Sequence, residues 1–235
     1  MTNISSFFKT DLATAAAHSE NQDRAAVIES PHGILLIIAD GAGGMSGGEK
    51  AAEFLIQSLK EHFVSEEAFS NPLTWYNILN QADHQLYVHP LAGETTAVVV
   101  AISDGFICGA SVGDSSAFLL QDNIDIELTA KQWQKPLLGS GIAIPTTYGP
   151  IPLTGILLLA TDGLMKYAPS AKIRDIVLNN HVESVANQLI ESVRYPSGNL
   201  PDDVTVIVCQ KYGTKRELES NEKTTINTTK NHAGH

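Results

Sequence analysis

Four aspartates adjoin apolar runs of the sequence and could together bind metal ions. Asp40 and Asp162 each follow such a run and precede a glycine, in "IIADG" and "LLLATDG". Asp202 comes shortly before the run "VTVIV", and Asp23 begins the segment 23–29. Carboxylates crowded together at neutral pH repel one another, so such a cluster needs raised pKa values or bound cations. Hard divalent ions prefer oxygen ligands, and Mg²⁺ or Mn²⁺ fits a site with few protein ligands.

The glycine-rich stretch around Asp40 does not match nucleotide-binding motifs. Residues 37–50 read "IIADGAGGMSGGEK". A P-loop needs glycine before its lysine, but Lys50 follows a glutamate, and a GxGxxG turn starting at Gly41 would need glycine in place of Ser46. We therefore expect Asp40 to bind metal. Gly41 would let its own carbonyl turn toward an ion, and the following glycines would let substrate approach the backbone.

A hairpin is expected to bring two of the aspartates together. The segment "SPHG", residues 30–33, has the composition of a turn between strands 23–29 and 34–39. A hairpin centred on this turn places Asp23 opposite Asp40.

The other two aspartates are expected at the same edge if the strands near 156–161 and 203–210 are antiparallel. Asp162 ends the first strand and Asp202 or Asp203 begins the second, so these ends would share one edge of a sheet. Each aspartate alone is also explained by turn chemistry. The hairpin geometry and the repeated Asp-Gly after a strand favour a metal site.

The elements that must position these residues are predicted from hydrophobic period and turn residues. Strands in groups, with helices between the groups, favour an α+β fold with mainly antiparallel sheets covered by helices. Residues 130–154, rich in Pro, Gly and Thr, are expected to form an extended surface connection, and the tail 213–235 is expected to be disordered. Strands are predicted near 12–17, 23–29, 34–39, 95–102, 105–111, 115–121, 125–129, 156–161 and 203–210, and helices near 48–64, from 71 through 86, 170–179 and 181–194.

The bulk properties limit the function classes. The 235 residues are 43% hydrophobic, enough for one large domain with a buried core, and contain no apolar run long enough for a membrane span. The net charge of -11 argues against a nucleic-acid partner and suits cation binding. Cys108 and Cys209 lie in apolar runs and are expected to be buried thiols in a reducing, cytoplasmic compartment.

Six short motifs, in order and spacing, resemble those of the metal-dependent PP2C/PPM protein serine/threonine phosphatases. The resemblance covers residues 12–210 and implies an α-β-β-α sandwich, with two mainly antiparallel sheets flanked by helices, as a phosphatase domain over residues 1–212. The motifs are "NQD", "ADGAGG", "ETTAVVV", "GDSS", "LLLATDGL" and "PDDVTVIV".

The resemblance also implies a two-ion site of Mn²⁺ or Mg²⁺, with a third, weaker ion. A hydroxide bridging the two metals would attack phosphorus directly, so no phosphoenzyme would form. Asp40, Asp162 and Asp202 would be central to catalysis. The implied ligands are Asp40 as the bridge, the Gly41 carbonyl, Asp162 and Asp202 at the first metal, Asp23 at the second, and Asp114 of "GDSS" at the third.

Several positions depart from the family pattern. His18 stands where many members have a phosphate-binding arginine, and Gln22 replaces a glutamate that ligates the second metal in some members. Ala42, Ser116 and Glu94 replace a histidine, an arginine and a glycine of the family motifs. Only residues 130–152 separate strand 125–129 from "LTGILLLATDG", so the helical flap of bacterial members is expected to be shortened or missing.

These departures leave alternatives open. The favoured function is hydrolysis of phosphoserine and phosphothreonine in proteins, with a phosphorylated protein as substrate and a serine/threonine kinase as a partner. The alternatives are a weakly active or inactive pseudophosphatase that acts as a regulatory binding module, and hydrolysis of a small phosphorylated metabolite. No nucleic-acid or membrane partner is expected.

Overall fold

A computed structural model describes residues 7–42, 47–61, 66–89, 93–103, 105–122 and 124–212. Two 3₁₀ turns, Glu66–Phe69 and Val182–Ser184, accompany the helices and strands. The strands are β1 (Phe8–Ala15), β2 (Asp23–Ser30), β3 (Gly33–Ala42), β4 (Glu94–Thr95), β5 (Ala97–Ile102), β6 (Phe106–Val112), β7 (Ser116–Leu120), β8 (Asp125–Glu127), β9 (Thr146–Pro152), β10 (Ile156–Ala160) and β11 (Val204–Lys211). The helices are α1 (Gly48–Glu61), α2 (Pro72–Tyr87), α3 (Asp162–Met165), α4 (Ser170–Asn179) and α5 (Val185–Glu191).

The strands form two antiparallel sheets that pack face to face. One sheet has the order β1-β11-β10-β7-β8, and the other has the order β2-β3-β5-β6-β9 with β4 beside β3. One apolar cluster fills the space between the sheets, a second lies between α1, α2 and their sheet, and a third lies beneath α3, α4 and α5. The predicted α+β sandwich, with layers in the order α-β-β-α, is therefore confirmed.

The central strands are apolar on both faces because each sheet is covered on both sides. All six residues of β5 and all five of β10 are buried. Helix α2 begins as the sequence predicts: the Asn71 side chain accepts a hydrogen bond from the Leu73 N–H at 3.1 Å, and Pro72 occupies the first turn.

The predicted surface connection 130–154 is partly wrong, because residues 146–152 form β9 at the edge of a sheet. This strand pairs with β6, but its residues are exposed or half-buried and include two prolines. An edge strand tolerates proline because its outer N–H groups need no partner in the sheet. The sequence of β9 therefore shows neither an alternation of apolar and polar residues nor an apolar run that would have predicted a strand.

Other boundaries differ by a few residues. The first strand begins at Phe8, not near residue 12, because β1 pairs with β11 along its full length, from Lys211 to Val204. The predicted helix 181–194 is a 3₁₀ turn followed by α5. Residues 62–64 of the first predicted helix and the predicted tail 213–235 lie outside the described residues.

Asp83 fixes the connection that precedes β9. Its carboxylate, 1% exposed, accepts hydrogen bonds from the backbone N–H groups of Gly139, Gly141 and Ala143 at 2.8 to 3.1 Å. A buried carboxylate satisfied by three backbone donors holds its loop firmly against α2. The connection is therefore ordered without secondary structure of its own.

Both cysteines are free and buried, as predicted. Burial raises the pKa of Cys108 to about 11 and that of Cys209 to about 12, so neither thiol is a nucleophile at neutral pH. Within the described ranges, the helices lack the length and apolar character that crossing a bilayer requires.

Candidate metal centre

Asp23 and Asp40 lie directly opposite each other at the open end of the β2–β3 hairpin. The register pairs Asp23 with Asp40 and Ser30 with Gly33, as the position of the turn predicted. Both acids therefore belong to one sheet and face the same edge of the sandwich.

Asp162 and Asp202 reach this edge from the other sheet. Strand β10 ends at Ala160, whose partner is Val206 of the antiparallel β11. The chain leaves β10 toward Asp162 and enters β11 from Asp202, so both acids lie at the same end of the strand pair. The antiparallel arrangement on which the predicted convergence depended is present.

Three carboxylates form a compact cluster. One carboxylate oxygen each of Asp40, Asp114 and Asp162 lies within 4.8 Å of the other two. Asp114 lies in the turn between β6 and β7, which belong to different sheets. Three oxygen ligands at this spacing, from a strand end, a turn and the start of a helix, could hold a hard divalent cation.

Asp202 stands beside this cluster. Its Oδ1 accepts a hydrogen bond from the Asp203 N–H at 3.0 Å. Burial, and then the negative charge of Asp162, raises the pKa of Asp202. Asp202 is thus close enough to Asp162 for the two charges to interact. The three carboxylates that lie within 4.8 Å of one another, however, include Asp114 and not Asp202.

Asp23 is the most deeply buried acid of the centre, with 2% exposure. Its Oδ2 accepts a hydrogen bond from the Thr161 hydroxyl at 2.9 Å, while its buried Oδ1 has no hydrogen-bond partner. A buried carboxylate oxygen without a partner is costly unless a cation or water satisfies it. The residues present therefore fit a metal centre.

The electrostatic environment of Asp40 also favours a bound cation. Burial, and next the charge of Asp23, raises its pKa well above the ordinary range, and Asp162 adds to the shift. Burial also raises the pKa of Asp23, against the hydrogen bond from Thr161. The ionised cluster is unfavourable by itself, and a divalent cation would relieve it.

Hydroxyl groups lock the backbone of Asp40 in place. Its N–H donates to Thr96 Oγ1 at 2.9 Å, and its carbonyl accepts from the Thr96 N–H at 2.8 Å and from the Thr95 hydroxyl at 3.0 Å. The Thr96 hydroxyl in turn pairs with the Ser115 hydroxyl at 2.8 Å. This buried network connects the turn that carries Asp114 to the strand end that carries Asp40.

Gly41 has a packing role that the sequence did not predict. A Cβ on Gly41 would lie 2.3 Å from the backbone of Gly48, so these two glycines allow the end of β3 to touch the start of α1. Gly43 and Gly44 lie outside the described residues. The Gly41 carbonyl as a metal ligand stays a prediction.

His18 lies close to the centre. It is exposed and lines a surface pocket of about 330 Å³ together with Gln22, Asp202 and Asp203. Asp203 accepts hydrogen bonds from the Ala17 N–H at 2.8 Å and the Gln22 N–H at 2.7 Å. Asp203 therefore holds the loop that carries His18, which leaves Asp202 as the acid that can serve a metal.

Lys166 is the residue that the sequence analysis missed. Its ammonium group forms an ion pair with Asp162, four residues earlier. This hydrogen bond raises the pKa of Lys166, and the charges of Asp114 and Asp202 add to the effect. The spacing of four residues on a helical turn was a signal that could have found this pair.

Comparisons with known proteins agree with this geometry. The sequence profile described as "Protein phosphatase 2C" matches residues 13–134, more than half of the chain. The "Serine/threonine phosphatase stp" of Listeria welshimeri is 25% identical over 242 residues, which cover 87% of this chain and 94% of that protein.

Solved structures share the fold. The serine/threonine phosphatase Stp1 from Staphylococcus aureus aligns with a TM-score of 0.76 and 20% identity, covering 91% of this chain and 98% of that one. The catalytic domain of the serine threonine protein phosphatase PstP in complex with two manganese ions aligns with a TM-score of 0.73 and 20% identity, covering 86% and 97%. Given the profile match, the chain belongs to the protein phosphatase 2C family of metal-dependent protein serine/threonine phosphatases.

Proposed function

We propose that this chain hydrolyses phosphoserine and phosphothreonine in proteins, using two divalent ions, Mn²⁺ or Mg²⁺, and a third, weaker ion. The observation that carries the proposal is the approach of Asp40, Asp114 and Asp162 to within 4.8 Å of one another, beside the unpartnered oxygen of Asp23. The set of hard oxygen donors suits these ions.

The protein's own residues would hold the ions and keep the site rigid. Asp40 would bridge the two ions, since it pairs with Asp23 on its own sheet and its carboxylate approaches that of Asp162 from the other. Asp162 and Asp202, with the Gly41 carbonyl, would complete the ligand set, and Asp114 would serve the third ion. The two ions would supply a bridging hydroxide for direct attack on phosphorus, without a phosphoenzyme.

The substrate phosphate would bind at the same edge. His18 is the proposed contact for it, because the imidazole lines a pocket with Asp202. An imidazole cannot form the two-pronged hydrogen bonds to phosphate that an arginine forms. We therefore expect a weaker hold on the phosphate than an arginine at position 18 would give.

The test is turnover of p-nitrophenyl phosphate and of phosphothreonine peptides with Mn²⁺. We compare the wild type with Asp40→Asn and Asp162→Asn, and use Asp175→Asn, an exposed acid on α4, as the matched control. The two site variants should lose turnover by a factor of at least about 100, while the control keeps it. Activity that survives both site substitutions would refute the mechanism.

The alternative functions have their own signatures in this assay. A wild type that binds Mn²⁺ without turning over either substrate would support a regulatory binding module. Turnover of small phosphate esters without turnover of phosphopeptides would support a metabolite phosphatase. The presence of every predicted aspartate at one edge of the sandwich favours the active enzyme.

The proposed partners follow from the reaction. A serine/threonine kinase must produce the phosphoprotein that this enzyme consumes, and we propose that the two act in the same compartment. Two free, buried thiols suit the reducing cytoplasm. Copurification of a kinase with the chain would test this pairing.

A further inference from the structure

A short segment, residues 131–135, runs along the rim of the metal centre. The Trp133 carbonyl accepts a hydrogen bond from the Gly113 N–H at 2.9 Å, and the Gln132 side chain donates to the Ser115 carbonyl at 2.7 Å. These two contacts fall on either side of Asp114 in the sequence. The segment is therefore fixed directly against the turn that supplies one of the clustered acids.

The other end of the connection is fixed beside Asp40. Leu138 and Thr95 exchange two backbone hydrogen bonds, at 2.9 and 3.1 Å. The Thr95 hydroxyl also donates to the Asp40 carbonyl. The chain is thus attached at Gln132 and Trp133 and again at Leu138, and each attachment point is next to a residue of the metal centre.

Trp133 and the two lysines of this segment have exposed side chains. Trp133 is 60% exposed, an uncommon position for so large an aromatic residue. Lys131 and Lys135 are exposed too, and in the described part of the chain neither has an ion-pair partner. Two unpaired lysines therefore flank an exposed tryptophan in a protein whose net charge is -11.

We propose that residues 131–135 are a docking surface for acidic residues that flank the phosphorylated residue of the substrate. The proposal rests on the proposed function and names the substrate class: phosphopeptide segments rich in Asp and Glu. Lys131 and Lys135 complement the charge of such a segment, and Trp133 offers a large, stiff surface for its backbone and side chains. Exposed ion pairs contribute little each, so the effect is a preference among substrates, not a requirement.

The kinetic test uses two phosphothreonine peptides that differ only in their flanks, one with Asp and Glu and one with Asn and Gln. The wild type should prefer the acidic peptide by roughly 5-fold in kcat/KM at low salt, since two exposed pairs are involved. The double variant Lys131→Gln/Lys135→Gln should lose this preference, and so should the wild type at high salt. The matched control Lys60→Gln, on α1, should keep it.

Trp133→Ser probes the aromatic contact. Its kcat/KM for the acidic peptide should fall by roughly 5-fold relative to its kcat/KM for p-nitrophenyl phosphate, which has no flanking residues to bind. Equal turnover of the acidic and neutral peptides by the wild type would overturn the proposal.

Tryptophan fluorescence gives a readout that does not depend on turnover. The chain has two tryptophans, and Trp75 is 0% exposed, so acrylamide should quench Trp133 preferentially. The unphosphorylated acidic peptide should protect Trp133 from acrylamide, and the neutral peptide should not. Protection without turnover would overturn the proposed function but leave the docking surface standing, while turnover without protection or preference would overturn the docking surface alone.

Discussion

Lys166 forms an ion pair with Asp162, four residues before it, at the edge of the carboxylate cluster. The ammonium group of Lys166 binds the carboxylate that a metal ion would also bind. Metal binding must then break or displace the pair, which reduces the net affinity. Lys166 is therefore expected to compete with the metal for Asp162.

Lys166→Met should bind Mn²⁺ more tightly, with a dissociation constant lower by roughly 3-fold, because a partly exposed ion pair no longer has to be replaced. Isothermal titration calorimetry of the metal-free protein measures this directly. Lys60→Met is the control for general charge loss, and Lys166→Arg should bind like the wild type. Weaker binding by Lys166→Met would mean that the ammonium group supports the site instead.

The stability of the metal-free protein should fall as the pH rises from 5 to 8. In the folded state the pKa of Asp40 is raised from 3.8 to about 8, so between these values the folded protein holds a proton that the unfolded chain has released. The free energy of unfolding then decreases with pH across this window. We expect the melting temperature to drop by at least about 2 °C, which corresponds to about 1 kcal/mol for a domain of this size.

Two comparisons isolate this effect. Asp40→Asn should weaken the pH dependence in the absence of metal, because its amide does not titrate, while the raised pKa of Asp23 preserves part of it. Saturating Mn²⁺ should also flatten it, because the ion stabilises the charged carboxylates. A melting temperature of the metal-free wild type that rises from pH 5 to pH 8 would contradict the prediction.

The adjacent acids Asp202 and Asp203 should respond oppositely to substitution. Asp203→Ala removes two hydrogen bonds to the backbone and should lower the free energy of unfolding by about 2 kcal/mol. Asp202→Asn removes a carboxylate that feels the charge of Asp162, so the metal-free protein should be at least as stable as the wild type. Its dissociation constant for Mn²⁺ should rise about tenfold or more.

Urea denaturation and calorimetry separate these effects. These roles, metal binding for Asp202 and loop stability for Asp203, would be contradicted by the reverse result. In that case Asp202→Asn would unfold the protein and Asp203→Ala would weaken metal binding alone.

Gly41→Ala should damage the contact between β3 and α1. The added Cβ would meet the backbone of Gly48 at 2.3 Å, and a backbone cannot move aside cheaply. We expect a loss of about 3 kcal/mol in the free energy of unfolding. Gly198→Ala is the comparison: its Cβ would meet nothing within 4 Å, so only its φ of +89° opposes alanine, at about 1 kcal/mol.

Much of the centre could be predicted from the sequence because its acids stand at strand ends. A hairpin turn fixes register, so the position of "SPHG" was enough to place Asp23 opposite Asp40. The grouping of strands and helices predicted antiparallel sheets covered by helices, and the family resemblance implied the order of the layers. The expected antiparallel pairing of β10 with β11 then put Asp162 and Asp202 at one end.

The rest depended on contacts between distant parts of the chain. Strand β9 lacks an apolar alternation because it lies at an edge, where its residues are exposed or half-buried. Asp83 binds the backbone of residues 139–143 where this loop folds back against α2. No local sequence pattern predicts that long-range contact. The contact of Gly41 with Gly48 was hidden because a glycine required by close packing looks the same in a sequence as one in a turn.

The cluster draws its acids from both sheets: Asp23 and Asp40 come from one, and Asp162 and Asp202 from the other. A cation held among them would fasten the two layers together, and sliding of one sheet over the other would then change the size of the site. We expect residues packed between the sheets, such as Leu36 and Leu159, to influence which cation is preferred although they are not ligands. Metal selectivity would then depend in part on how firmly the two sheets pack together.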